Sequence, residues 1–197
     1  DCGVALMDAP SDVVSVAMNY LGVADPNSEK SEDLDKAVEL LKGIRSSIKY
    51  FSSSKPIADL ANGEICIAMG FNGDMLQAES RAKEAGKGVE VVYYIPKEGT
   101  QIWFDTMAIP ADAKNKENAL KFIDFVLEPE TGASIANMVS YAVANTKAKD
   151  LIKDEIKNNP GIYPPAEVQA KFFPSKAHEA SFDRKLSRAW TSVKTNR

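Results

Sequence analysis

The sequence predicts an α/β protein, because apolar runs of strand length alternate with stretches of helical periodicity. The clearest run is residues 65–69, which are continuously apolar and are bounded by Asn62-Gly63 before and Gly70 after. Such a run predicts a strand that is covered on both faces, as in a parallel sheet. A helical pattern follows over residues 73–86. Together the two segments predict a strand–turn–helix unit.

Two helices, a short strand and a short helix are predicted before this unit. Residues 10–21 predict a helix, with Pro10 in its first turn and Gly22 just past its end. Residues 34–44 carry apolar side chains at helical spacing and predict an amphipathic helix. Residues 48–51 predict a short strand, and residues 54–60 a short helix that leads into the central strand.

Two further apolar runs follow the unit, at residues 89–95 and 102–110, and each predicts a strand. Residues 116–127 then predict a helix. The side chains that we expect on its core face are Ala119, Leu120, Phe122, Ile123 and Val126.

The last third of the sequence is predicted to be mainly helical. Residues 130–139 predict a helix, and residues 140–142 an extended segment after it. A proline-rich break lies at residues 159–165, and the last helix is predicted over residues 181–193. Trp190 on this helix is predicted to pack in the core.

Composition argues against two kinds of partner, nucleic acid and the lipid bilayer. The 197 residues are 44% hydrophobic and 26% charged, which is typical of a soluble globular protein of one or two domains. The net charge of −4, without a basic patch interleaved with aromatic residues, argues against a nucleic-acid partner. No apolar run approaches the length that spans a bilayer, so no membrane insertion is predicted.

An aromatic ring and a carboxylate stand at the predicted turn after the central strand. Phe71 and Asp74 lie between residues 65–69 and the helix that follows. In open α/β sheets, ligands bind beyond the carboxyl ends of the strands. An aromatic face attracts an ammonium group, and a carboxylate accepts a charge-assisted hydrogen bond from it. The pair therefore predicts a site for a cationic ligand.

Three other side chains are candidates on weaker grounds. Asp105 interrupts an apolar run, and an unpaired buried carboxylate is costly, so it should face water or a positive partner. The alternative is an exposed acid on a half-buried strand. Asp12 falls in the first turn of a helix, where a simple capping role is the alternative to a ligand contact. Tyr141 is either core or a wall of the site.

The sequence contains no recognisable catalytic or cofactor motif. The single histidine, His178, lies in a polar stretch and is predicted to be a surface residue. No zinc motif, phosphate loop or nucleophile elbow occurs, so no cofactor, metal or catalytic residue is predicted. Asp74 and Asp105 as the carboxylate pair of a hydrolase remain an alternative. A receptor for another organic cation and a ligand-free interaction module are further alternatives.

The two cysteines, Cys2 and Cys66, allow one disulfide. It would close a loop of about 65 residues and stabilise the fold by roughly 4 kcal/mol in the chain-entropy model. Spacing alone leaves two unrelated buried thiols, or a lipidated Cys2, as alternatives.

Besides the central turn, seven short segments match the motifs of one family. They are DLANG (59–63), IPKEG (95–99), WFD (103–105), PADAKNK (110–116), SYA (140–142), NPGIYPP (159–165) and RAWT (188–191). By these segments the chain resembles the periplasmic polyamine-binding proteins, the putrescine and spermidine receptors of bacterial ABC importers. The resemblance covers essentially all 197 residues, but only the C-terminal part of the family's chain.

The resemblance implies a periplasmic-binding-protein type II-like fold with two α/β lobes. Residues 1–80 would be the first part of the second lobe, and residues 130–197 its C-terminal helices. Residues 81–129 would cross into the first lobe and return. The resemblance further implies that the missing N-terminal part of the same protein is a partner, and leaves open whether this fragment binds ligand alone.

The resemblance also implies a set of ligand-binding residues. Phe71 stands where family members often have tryptophan, and Asp12 where they often have glutamate. Trp103 stands where putrescine receptors tend to have phenylalanine, and its broader face, with three acids, slightly favours spermidine over putrescine. The implied acids are Asp12, Asp74 and Asp105, and the implied aromatic walls are Phe71, Trp103 and Tyr141.

The implied function is that of an extracytoplasmic receptor, not an enzyme. It would bind a polyamine in the cleft between the lobes and deliver it to the permease subunits of an ABC importer. The family also has a disulfide at the positions of Cys2 and Cys66, which fits an oxidising periplasm.

Overall fold

Three parallel strands form the central sheet of the computed structural model, which describes residues 2–196. The strands are β1 (Gly3–Leu6), β2 (Ile48–Phe51) and β3 (Ile65–Ala68), in the order β2-β1-β3. Both neighbours pair with β1 in parallel. The predicted α/β class is confirmed.

Helices connect these strands, as parallel pairing requires. Between β1 and β2 lie α1 (Pro10–Tyr20) and α2 (Ser31–Gly43), with a 3₁₀ turn at Arg45–Ser47. Between β2 and β3 lies α3 (Pro56–Ala61). The predicted helices and the short strand before the central unit are therefore confirmed.

The chain from residue 116 onward is mainly helical. A second pair of parallel strands joins Gln101–Ile102 to Phe173–Pro174. The predicted helices over residues 73–86, 116–127, 130–139 and 181–193 are confirmed. The elements are α4 (Asn72–Ala85), β4 (Gln101–Ile102), α5 (Lys116–Leu127), α6 (Pro129–Val139), a 3₁₀ segment (Thr146–Leu151), α7 (Asp154–Lys157), α8 (Ala166–Gln169), β5 (Phe173–Pro174) and α9 (Ala180–Thr195).

Two apolar clusters cover the faces of the central sheet. The larger cluster packs α1, α2 and α9 against one face, with Met18 and Trp190 among its buried side chains. The smaller cluster packs α3 and α4 on the other face, around Ala5 and Ile65. The carboxyl ends of the strands therefore open at one edge, where α1 and α4 begin.

The disulfide implied by the resemblance is confirmed. Cys2 and Cys66 are joined with their Cα atoms 5.3 Å apart, so the start of β1 is linked covalently to β3. The alternative of two unrelated thiols is wrong.

The other end of β1 is fixed by the last helix. The Trp190 indole donates to Asp8 Oδ1 at 2.7 Å, and Lys194 Nζ lies 3.0 Å from the same oxygen. The hydrogen bond from Trp190 lowers the pKa of Asp8, and Lys194 adds to the effect. The prediction that Trp190 packs in the core is confirmed, because its side chain is buried.

The expectation that residues 65–69 form a strand covered on both faces is only half right. The strand is present, but β3 is the edge of its sheet, and Ile67 is 61% exposed. Continuous apolarity predicts that a strand is buried, but it does not show whether another strand pairs with its outer edge.

Residues 89–95 and 102–110 were predicted to be strands, and this is wrong except at Gln101–Ile102. In the part of the chain that the structure describes, residues 89–95 and 103–109 form no backbone–backbone hydrogen bond. A strand is defined by a hydrogen-bonded neighbour, and these segments have none there.

Two smaller expectations also fail. Helix α5 has no buried residue, and Leu120 and Phe122 of its predicted core face are exposed. The side chain of His178 is only 6% exposed, because its ring packs on Phe182 at 4.9 Å, so it is not a surface residue.

No helix within residues 2–196 has the length and apolarity to cross a bilayer.

Removing the disulfide is expected to destabilise the fold. Replacing both Cys2 and Cys66 with serine should lower the free energy of unfolding by about 2–4 kcal/mol, because the unfolded chain regains the freedom of the closed loop. Urea unfolding followed by circular dichroism measures the change. The parent chain in reductant should unfold at the midpoint of the double variant; equal midpoints for oxidised and reduced parent would contradict the prediction.

Candidate ligand-binding site

The turn after β3 holds two of the predicted site residues. Phe71 has an extended backbone, with φ −70° and ψ 143°, and directly precedes α4. Its ring packs against the larger apolar cluster. Asp74 falls in the first turn of α4, where the helix dipole favours a carboxylate. Asn72 Nδ2 donates to the carbonyl of Gly161 at 3.1 Å, which ties the start of this helix to the proline-rich break.

Three aromatic rings from distant parts of the chain meet beside this turn. The ring centroids of Phe71 and Trp103 are 4.9 Å apart, with an interplanar angle of 56°. Trp103 and Tyr141 are 6.5 Å apart in an edge-to-face arrangement. Trp103 follows β4 directly and is 36% exposed, so part of the indole face remains open to a ligand.

A hydrogen bond joins the aromatic group to the carboxylate. Tyr141 Oη donates to Asp74 Oδ1 at 3.1 Å. Burial raises the pKa of the Tyr141 phenol well above its usual range, and the charge of Asp74 raises it further. The phenol therefore stays protonated at neutral pH and holds one carboxylate oxygen in place, while the other oxygen can face a ligand. Tyr141 is half-buried, and its role as a wall of the site stays a prediction.

The approach of Tyr141 depends on a glycine that the sequence reasoning missed. A Cβ atom on Gly73 would lie 2.2 Å from Cε2 of the Tyr141 ring. Only a residue without a side chain fits at this position of α4. The signal in the sequence was a glycine in the first turn of a helix. Glycine has a low helix propensity, so its presence there indicates a packing requirement.

Asp12 is brought to the same end of the sheet by α1. It lies in the first turn of this helix and is half-buried. Burial raises the pKa of its carboxyl group, and a hydrogen bond with the Gln101 side chain acts in the opposite direction. Gln101 lies two residues before Trp103, so this contact connects Asp12 to the aromatic group. Sequence reasoning did not single out Gln101, because nothing in its local pattern marks it.

Asp105 is an exposed acid, as one of the two predictions for it required. It lies on an irregular segment rather than on a half-buried strand. Its charge contributes to the raised pKa of Tyr141, so it lies within electrostatic range of that ring. Within residues 2–196, no cluster of three or more histidine, cysteine or acidic side chains could hold a metal ion.

Four of the six predicted ligand residues are therefore in direct contact. Phe71, Trp103, Tyr141 and Asp74 form a continuous chain of ring and hydrogen-bond contacts. Asp12 joins them through a neighbouring side chain, and Asp105 only through its charge.

Several relatives of this chain carry polyamine names. The chain is 50% identical over 197 residues to the putrescine-binding periplasmic protein PotF of Escherichia coli K12, covering all of this chain and 53% of PotF. It is 43% identical over 196 residues to the putrescine-binding periplasmic protein SpuD of Pseudomonas aeruginosa, again covering 53% of the relative. The spermidine/putrescine-binding periplasmic protein of Salmonella typhimurium is 35% identical over 166 residues, which is 84% of this chain and 46% of the relative.

Solved structures share the fold. The spermidine/putrescine ABC transporter substrate-binding protein PotD of Streptococcus pneumoniae superposes with a TM-score of 0.80 at 26% identity, covering 98% of this chain and 58% of the other. The TpPotD lipoprotein of Treponema pallidum superposes with a TM-score of 0.77 at 19% identity, with coverage of 98% and 57%. The type II periplasmic-binding-protein fold class is confirmed, and the chain spans about half the length of the curated relatives it matches.

These comparisons confirm the resemblance found in the sequence. PotF and SpuD are named as periplasmic binding proteins and PotD as a transporter's substrate-binding protein, so none of these names supports the hydrolase alternative for Asp74 and Asp105. The model of one family, described as bacterial extracellular solute-binding protein, matches residues 3–164. The chain belongs to the bacterial extracellular solute-binding protein family.

Proposed function

We propose that this chain is part of a periplasmic receptor that binds a linear polyamine and delivers it to the permease subunits of an ABC importer. The observation that carries the proposal is the contact of an aromatic group with a carboxylate held by Tyr141 at the carboxyl ends of parallel strands. This is the combination that a chain of methylenes ending in ammonium groups requires.

Each part of a polyamine has a counterpart in the site. The methylene chain would lie against Trp103 and Phe71, and the ammonium groups would donate to carboxylates. Each charge-assisted hydrogen bond contributes roughly 1.5–3 kcal/mol, and each cation–π contact about 0.5–2 kcal/mol. After ordering and desolvation costs, several such contacts reach the roughly 8 kcal/mol of a micromolar binder.

We propose putrescine rather than spermidine as the preferred ligand. The relatives with 50% and 43% identity are named for putrescine, while the spermidine/putrescine relative shares 35%. This reverses the slight preference for spermidine drawn from Trp103 and the three acids. Two physical points support the reversal. One ammonium group has three donors and can serve two carboxylates. Part of the Trp103 indole packs against Phe71, which leaves less of it for a longer ligand.

The proposal includes a two-lobe arrangement. Residues 1–80 and 130–197 would belong to one lobe, and residues 81–129, with Trp103 and Asp105, would reach the other. A ligand held by Asp74 and Asp105 together would stabilise the closed form, because only that form offers both contacts. The permease would recognise the closed form.

A ligand titration tests this function. Titration calorimetry would be run on this chain together with the remaining portion of the receptor, with putrescine, spermidine and sodium chloride at matched ionic strength. Saturable binding of putrescine that is tighter than that of spermidine supports the proposal. Binding of neither polyamine to a folded assembly would overturn it.

Asp74→Asn in that assembly should weaken putrescine binding about tenfold or more, roughly 1.4 kcal/mol, because the ammonium group loses a charged acceptor. Calorimetry measures the loss. Asp35→Asn, which removes an exposed acid from α2, is the matched control and should bind like the parent. Equal affinities of the two variants would remove Asp74 from the site.

Gly73→Ala should also weaken binding, although it removes no polar group. The added methyl group must displace the Tyr141 ring, which breaks the hydrogen bond to Asp74. Gly132→Ala on α6 is the control, because its Cβ would meet Ala148 at an ordinary 3.6 Å. A loss of affinity in both variants, or in neither, would count against the positioning role of Tyr141.

Putrescine affinity should fall in acid, starting above the ordinary aspartate pKa of 3.8. Burial raises the pKa of Asp12, so this carboxylate is lost earlier on acidification than a free one. Calorimetry at stepped pH measures the dependence. Asp12→Asn should flatten the curve, while Asp35→Asn should leave it unchanged; parallel curves for all three proteins would exclude Asp12 as the titrating group.

A further inference from the structure

Helix α6 ends in a left-handed turn at Ser140, directly before Tyr141. The backbone of Ser140 has φ 59° and ψ 30°. Among residues 2–196, Asn196 after the last helix is the one other residue besides glycine with a positive φ. In this conformation Cβ comes too close to the following carbonyl oxygen, so glycine, and less often asparagine, normally occupies it. A serine at this position therefore needs a structural cause.

No side-chain hydrogen bond among residues 2–196 relieves the strain at Ser140. Asparagine and aspartate tolerate the left-handed region because their short side chains can bond to the nearby backbone. The hydroxyl of Ser140 makes no hydrogen bond within the described residues. Its amide donates to the carbonyl of Ala136 at 3.0 Å, which closes the last turn of the helix without involving the side chain. The conformation is therefore imposed by the neighbours of the turn.

Helix α4 holds the chain on both sides of the turn. Before the turn, Gln77 Nε2 donates to the carbonyl of Val139 at 3.5 Å. After the turn, Tyr141 Oη donates to Asp74 Oδ1 at 3.1 Å. Asp74 and Gln77 are three residues apart, so they lie on the same face of α4. Left-handed residues other than glycine persist where the surrounding structure over-determines them, and such residues cluster at functional sites.

The left-handed turn separates Tyr141 from the helix that precedes it. If Ser140 kept the right-handed conformation, α6 would continue, and its rotation of about 100° per residue would set the direction of the next side chain. The turn instead ends the helix, and Tyr141 begins a segment without regular structure. From there its ring reaches Gly73, where the lack of a side chain lets it close on the backbone of α4.

We propose that Ser140 is a positioning residue for the carboxylate of Asp74. It does not touch the ligand; its strained turn fixes Tyr141, and Tyr141 fixes one oxygen of Asp74. Glycine would adopt this conformation without strain, but it would also adopt many others, so Tyr141 would be held less firmly. The inference rests on the proposed function, because the position of Asp74 affects binding only if the ligand carries a cationic group.

NMR relaxation tests the positioning role without any ligand. In the chain of 197 residues, the Tyr141 backbone amide should have an order parameter of about 0.85, typical of a rigid backbone. In Ser140→Gly it should fall toward about 0.6. The urea midpoint should be no lower than that of the parent, because the relief of strain offsets the greater freedom of glycine in the unfolded chain. An unchanged order parameter, a flexible amide in the parent, or a lower midpoint would overturn the inference.

Putrescine titration of the assembly connects the turn to binding. Ser140→Gly should weaken binding about threefold or more, whereas Ser140→Asn, which tolerates the left-handed conformation, should keep the affinity of the parent. Asn196→Gly changes the matching left-handed residue at the end of α9 and should bind like the parent.

The outcomes separate this inference from the proposed function. Parent affinity in Ser140→Gly would overturn the positioning role. Equal losses in the glycine and asparagine variants would also overturn it, because they would identify the hydroxyl itself as a ligand contact. A parent assembly that is folded but does not bind putrescine would overturn the proposed function, and the ligand-free order parameters would still decide whether Ser140 fixes Tyr141.

Discussion

The position of β1 determines how the central sheet is arranged and where the candidate site forms. Among residues 2–196 it is the one strand of the central sheet with neighbours on both sides, and both of its ends are anchored. Cys2 ties its start to β3, and Asp8, just past its end, accepts a hydrogen bond from Trp190 of α9. Because α1 begins two residues after Asp8, the same anchor sets the direction in which Asp12 leaves the sheet. Strand β3 pairs in parallel with β1, so β1 also places the turn that carries Phe71.

The parts of the candidate site differ in how firmly their backbone and side chains are held. Asp74 is held by its helix and by Tyr141, and Tyr141 is seated against Gly73. Trp103 and Asp105 lie instead on a segment whose backbone makes no hydrogen bond to other described backbone groups. One carboxylate is therefore preorganised, while Trp103 is positioned by its ring contacts with Phe71 and Tyr141.

The sequence predicted those parts of the fold whose causes are local. The bounds of β2 and α5 were predicted to the residue, since alternation, periodicity and proline at a helix start are properties of a few adjacent residues. The strands expected at residues 89–95 and 102–110 failed because pairing is not local. Strand β5, only two residues long and containing Pro174, has no pattern to detect. His178 was misplaced because its polar neighbours conceal a ring that packs on Phe182.

The same contrast applied to the site. Phe71 and Asp74 could be predicted from position, since the carboxyl end of a parallel strand is where ligands bind. The resemblance, not the pattern, brought in Trp103 and Tyr141, which are far away in sequence. Gly73 and Gln101 were missed, because their roles exist only once Tyr141 and Asp12 stand beside them.

The ordering of residues 103–105 and the binding of a ligand are expected to be linked. Fixing the backbone of one residue costs about 1–2 kcal/mol, and hydrogen-bonded pairing normally helps to offset it. Residues 103–105, which carry one ring and one acid, lack that pairing among residues 2–196. Ordering these three residues would cost roughly 3–6 kcal/mol, as much as one or two charge-assisted hydrogen bonds contribute. A ligand that contacts Trp103 and Asp105 must offset this cost, so a neighbour that orders residues 103–105 beforehand would strengthen binding without touching the ligand.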